Sequence, residues 1–91
     1  MAEINYKVGG KILKAVANAR RLKILSFLKK NREATVGAVA EQIKLSFKST
    51  SRHLALLYSA GILDKEQRGI EVYYSLSTVQ HSTIKHTISI L

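Results

Sequence analysis

Cysteine is absent from this chain of 91 residues, which excludes disulfide staples, thiolate metal sites and thiol redox switches together. Proline is absent too, so slow peptide isomerisation and proline-rich linkers are excluded. There is no tryptophan, and no apolar run approaches the ~18 residues of a membrane span. The opening Met1-Ala2-Glu3-Ile4-Asn5 lacks the basic-then-apolar order of a signal peptide. These absences lead us to expect a soluble, cytoplasmic protein. A chain of this length makes one domain and buries only about two-thirds of its unfolded surface. Negative charge is the other scarcity: six Asp and Glu face fifteen Lys and Arg, a net charge of +9.

That excess points to a polyanionic partner, nucleic acid first and an anionic membrane surface second. It is unevenly spread. Residues 1–35 hold nine basic and two acidic side chains, residues 36–63 three and one, and residues 64–91 three and three. A basic first half and a neutral last third suggest one DNA-facing region and one with another task. A membrane-surface helix would want Trp or Phe on a basic face. Tryptophan is missing, and Phe27 and Phe47 both read as part of a helix-turn-helix core region.

No repeat or low-complexity stretch is visible, so residues 1–10 are expected as a flexible N-terminal segment and 11–91 as the folded domain. Ile12, Leu13 and Val16 recur at helical spacing from Lys11 to Ala17. Asn18 is a suitable N-cap for a second helix carrying Leu22, Ile24, Leu25 and Leu28, with Lys29 and Lys30 in its last turn. A third helix fits Val36 to Ile43 behind Thr35. After Lys44-Leu45-Ser46 comes a fourth, capped by Ser46, with Thr50, Leu54 and Leu57 as its buried stripe and Gly61 as its stop. The period then changes to two: Ile62–Glu66 and Glu71–Leu76 read as strands joined through Gln67–Ile70. A last helix is expected over Ser77–Leu91. The order α-α-α-α-β-β-α is mainly α with a β-hairpin wing, a winged helix-turn-helix.

Leu45-Ser46-Phe47-Lys48-Ser49-Thr50-Ser51-Arg52-His53-Leu54, followed by Ala60-Gly61-Ile62-Leu63 and Tyr73-Tyr74-Ser75-Leu76, resembles the ArsR/SmtB family of repressors. The likeness runs from about Lys11 to Leu76. It implies a homodimer on a pseudo-palindromic double-stranded DNA operator. The residues support a DNA-binding reading without the family. A recognition helix brings its N-terminal residues to base edges while apolar residues hold its back to the domain. With Thr50, Leu54 and Leu57 inward, Ser46, Phe47, Lys48, Ser49, Ser51, Arg52 and His53 form the DNA-facing set. The Arg52 fork suits guanine O6 and N7. Lys48 could do the same or meet phosphate, and the three serines suit phosphates, base edges or helix capping. His53 has two readings, a DNA contact and a hydrogen bond within the domain. Lys65, Gln67 and Arg68 flank the wing turn, and Arg68 carries most of the wing's expectation. Arg20, Arg21, Lys23, Lys29, Lys30 and Arg32 add phosphate contacts or long-range field.

Relatives in this family often sense metals, and the resemblance implies where. One class uses Cys-x-Cys at the start of the third helix, where this chain has Thr35-Val36-Gly37; another uses Asp-x-His where it has Thr78-Val79-Gln80. His81 and His86 lie about 140° apart around a helix and cannot share an ion from one helix. No metal and no cofactor is therefore expected. Nor is enzymatic activity, since there is no phosphate loop, metal box or nucleophile elbow. The final helix offers Ile84, Ile88 and Leu91 on one stripe and Val79 and Ile90 on another. One stripe is expected to pack at home and the other to pair, with Ile12, Leu13 and Val16, across a two-fold dimer. The function expected is a sequence-specific DNA-binding transcriptional regulator, a repressor by type. The alternative is a non-specific nucleoid-associated or architectural DNA- or RNA-binding protein, for which +9 alone would suffice.

Overall fold

The computed structural model describes residues 5–91. Five helices and three strands follow one another as α1 (Tyr6–Val16), α2 (Ala19–Asn31), β1 (Glu33–Thr35), α3 (Val36–Ile43), α4 (Phe47–Ser59), β2 (Leu63–Arg68), β3 (Glu71–Leu76) and α5 (Ser82–Ser89). Among the described residues no helix is long and apolar enough to cross a membrane.

Local caps set most of these boundaries. The side chains of Asn18, Thr35 and Ser46 accept from the backbone N–H of Arg21, Ala38 and Ser49 at 3.1, 3.2 and 3.1 Å, starting α2, α3 and α4 as expected. Gly61, at φ +77°, follows α4 in the left-handed region. One boundary differs at the start. Asn5 caps α1 by accepting from the Val8 N–H at 2.8 Å, so the helix begins at Tyr6 rather than Lys11. Of the segment expected to be flexible, positions 6–10 are helical and positions 1–4 lie outside the described residues.

A second difference is β1. Three residues are too few to show a period, but Ala34 pairs with Tyr74, extending the hairpin into an antiparallel sheet of order β1-β3-β2. The wing turn is tighter than expected, because Gln67 and Arg68 still pair with Val72 and Glu71. Only Gly69 and Ile70 remain as the loop, and Gly69 takes the positive φ of +63° that a two-residue hairpin needs.

A further difference is at α5. The stretch from Ser77 to His81 is not helical. The Ser77 hydroxyl closes a local turn with the Val79 N–H at 3.3 Å, and the Gln80 amide donates to the carbonyls of Ile62 and Ser77, both at 2.8 Å. Such side-chain bonds compete with the helix ladder. His81 then caps α5, its Nδ1 accepting from the Thr83 N–H at 3.2 Å.

The core is built from Ile24, Leu25 and Leu28 of α2, Val39 of α3, Leu54 and Leu57 of α4, Ile62 and Leu63 entering the wing, Tyr74 of β3 and Ile84 of α5. Truncating one of its leucines or isoleucines to alanine costs about 2–5 kcal/mol in such a setting. That packing holds α4 by its inner face and leaves its N-terminal arc outside.

Candidate nucleic-acid interface

The helix-turn-helix is α3, the turn Lys44–Ser46 and α4. Lys44 closes α3 at φ +56° in the left-handed region, which turns the chain sharply enough for α4 to cross it. Thr50, Leu54 and Leu57 are buried, and Phe47, Lys48 and Arg52 are exposed. Ser49 and Ser51 are half-buried beside them. The Ser46 oxygen serves the α4 N-terminus, the capping role among its readings.

His53 is held from within the domain. Arg21 of α2 donates through Nη1 to His53 Nδ1 at 3.2 Å, through Nε to the Ala15 carbonyl at 2.6 Å and through Nη2 to the Lys14 carbonyl at 3.1 Å. Arginine can only donate, so Nδ1 accepts and the imidazole proton sits on Nε2. Burial, then the charges of Arg21 and Arg20, push the His53 pKa below its ordinary value. Arg21, read from sequence as a phosphate contact or a source of field, instead ties the end of α1 to the recognition helix. No local signal in the sequence marks that role, because the partners are brought together only by folding.

Arg68 is likewise engaged within the chain. Its guanidinium bonds both carboxylate oxygens of Glu33, one of them at 3.0 Å, and the Glu66 carboxylate at 2.6 Å. It also lies 4.5 Å from the centre of the Tyr73 ring. The Arg68 bond and charge hold Glu33 below the usual carboxylate range, with Arg32 adding to the effect. The two carboxylates in turn raise the Arg68 pKa. Lys65 stacks over Tyr58 of α4 at 4.4 Å, which joins the wing to the recognition helix. The Gln67 amide donates to the Gly69 carbonyl at 3.3 Å. The wing tip itself is Ile70, 98% exposed, a residue that the sequence reading passed over although an apolar residue after a turn glycine is a legible signal.

The basic residues of α2 also divide. Lys29 donates to the Ser89 carbonyl at 3.1 Å and caps the end of α5. Lys23, Lys30 and Lys44 line an open cleft with Phe27 and Ile43.

The residues expected at a dimer interface are split by burial. Val16, Ile84 and Ile88 face the chain's own core, and Ile12 and Leu91 pack half-buried against it. Leu13 is 52% exposed, Val79 82% and Ile90 71%. Val79 sits on the turn before α5, so it does not share a helix stripe with Ile90. Of the positions where the resemblance implies metal ligands, Thr35 caps α3 and Gln80 braces the turn before α5.

The family model for bacterial regulatory proteins of the arsR family matches residues 18–65. HlyU of Vibrio cholerae, a transcriptional activator, is 39% identical over 69 residues, covering 76% of this chain and 63% of HlyU. The chain thus spans less than two-thirds of that relative's length. SdpR of Bacillus subtilis, a transcriptional repressor, is 37% identical over 67 residues, covering 74% of this chain and 73% of SdpR. The structure of reduced HlyU superposes with a TM-score of 0.77 at 34% identity, over 93% of this chain and 85% of that one. The homodimeric winged helix-turn-helix DNA-binding domain of Mycobacterium bovis Mb0332 gives 0.78 at 25% identity, over 99% and 85%. Matched through its helix-turn-helix and sharing this winged fold, the chain belongs to the arsR family of bacterial regulatory proteins.

Proposed function

We propose that the chain is a sequence-specific double-stranded DNA-binding transcriptional regulator working as a homodimer on a two-fold operator in the cytoplasm. One observation carries the reading. The arc of α4 that a recognition helix turns to DNA keeps Lys48 and Arg52 exposed, while Thr50, Leu54 and Leu57 anchor the opposite face. Arg52 reads guanine and Lys48 meets guanine or phosphate. Ser49 and Ser51 contact phosphates or base edges. The wing contributes through Lys65 and Gln67, and Arg68 joins only when DNA phosphate displaces a carboxylate.

The exposed Leu13, Val79 and Ile90 form the dimer patch, because Val16, Ile84 and Ile88 are already used by the core. Closed two-fold pairing would set the recognition helices about one DNA turn apart. Repression, the role of SdpR, needs only occupancy of the site and is the sign we propose. Neither metal nor cofactor enters, since Thr35, Gly37, Thr78 and Gln80 replace the family's ligands.

Selecting bound DNA from a random pool at about 0.15 M salt tests the reading. A palindromic consensus supports it, and equal binding of all sequences points to an architectural protein instead. Leu13→Asp with Ile90→Asp should yield monomers in sedimentation without unfolding the chain, because both positions are exposed.

A further inference from the structure

We propose that Phe47 is a specificity-determining residue that reads thymine 5-methyl groups in the operator. The inference rests on the DNA-binding reading above and names the chemistry of one of its contacts. Phe47 is the first residue of α4, at the end of a recognition helix that comes nearest base edges. It is 63% exposed, whereas Phe27 packs against the core. An apolar ring left in water at that position contributes little to the fold. Lys48 is the next residue of α4 and, like Arg52, is exposed, so the helix that carries the ring also presents cations. Across from it Ile70 of the wing tip, with Val36 and Val72, lines the same cleft of about 260 Å³.

A phenyl ring has no hydrogen-bonding group and cannot read the donors and acceptors of a base edge. The apolar feature that a base pair presents in the major groove is the thymine methyl, and phenylalanine is among the side chains that contact it. Burying a group of that size is worth about fourfold in affinity.

The experiment measures binding of the intact chain to the site selected from the random pool, each thymine replaced in turn by deoxyuridine, which deletes only the methyl. At least one position per half-site should cost about fourfold, and both half-sites together about fifteenfold. The penalty should vanish in Phe47→Ala and persist in Ile70→Ala. Circular dichroism should show both variants folded, since both side chains lie outside the core. The proposal is overturned if uridine is tolerated everywhere, if the selected half-sites contain no thymine, or if Phe47→Ala keeps the penalty. A change in oligomeric state of Phe47→Ala with the penalty intact would assign the ring to self-association instead. If no preferred site emerges from the pool, the DNA-binding reading fails first and this inference goes with it.

Discussion

Arg21 and His53, 32 residues apart in the chain, meet at 3.2 Å, and the same guanidinium caps two carbonyls at the end of α1. One half-buried side chain therefore joins three helices, α1, α2 and α4. Hydrogen bonds from a charged donor contribute about 1.5–3 kcal/mol each when partly shielded, and their losses overlap. Arg21→Ala should lower stability by about 2 kcal/mol in urea unfolding. Arg21→Lys should recover less than half, since a single ammonium cannot reach three acceptors in a fixed fork. Full recovery by lysine would show that charge alone matters there.

The same pair makes stability depend on pH. His53 has its pKa lowered in the folded chain by burial and by the charges of Arg21 and Arg20. The folded state then binds fewer protons than the unfolded one, so stability rises with pH. His53's contribution is present above its unfolded value of about 6.5 and is lost as pH falls through its folded value. Unfolding midpoints from pH 8 to pH 5 should fall in the parent and flatten in His53→Gln. An imidazole titration that gives His53 a pKa above the ordinary value would reverse the sign and refute this account.

Arg52→Ala is expected to remove preference for the selected site, at about 1–3 kcal/mol per half-site. Loss on selected and random DNA should be unequal. An equal loss would reduce Arg52 to a phosphate contact.

On the wing, Glu33 and Glu66 occupy the Arg68 guanidinium. Removing one carboxylate should release a cation toward DNA. Glu33→Ala is expected to tighten binding to any duplex and steepen the salt dependence by up to about one phosphate contact. Stability should change little, because the pair is solvent-exposed and its attraction is screened by water. A salt slope identical to the parent's would leave Arg68 outside the interface.

Thr50 is fully buried in α4, and its hydroxyl has no hydrogen-bond partner among the described residues. Thr50→Val keeps the shape and removes the orphaned group, whose burial costs about 1–3 kcal/mol. The variant should be more stable by about 1 kcal/mol while DNA affinity stays unchanged. Destabilisation in denaturant titrations would mean that the hydroxyl is satisfied in solution.

The helix-turn-helix was legible because its signals are local. A cap reaches three residues ahead, as Asn18, Thr35 and Ser46 do, and a buried stripe repeats every three or four, as Thr50, Leu54 and Leu57 do. The exposed arc of Phe47, Lys48 and Arg52 is simply the complement of that stripe. The start of α5 was not legible, because local side-chain hydrogen bonds compete there with helix periodicity. The Ser77 turn and the His81 cap delay α5 to Ser82 and remove Val79 from it.

Sequence by itself determined the family's motif, the caps of α2, α3 and α4, the net charge of +9 and the absence of cysteine. Each depends on residue identity or on bonds spanning three or four positions. Tertiary structure alone decided which cations are free. Arg21 and His53 are 32 positions apart, Arg68 and Glu33 35, and Lys29 and Ser89 60. No periodicity encodes such pairs, because they follow from how α2, α4, the sheet and α5 pack once the core of Ile24, Leu25, Leu54 and Leu57 closes. The same closure assigned Val16, Ile84 and Ile88 to the interior and left Leu13, Val79 and Ile90 outside. An amphipathic helix shows which face is apolar; only the packed chain shows which part of that face remains for a partner.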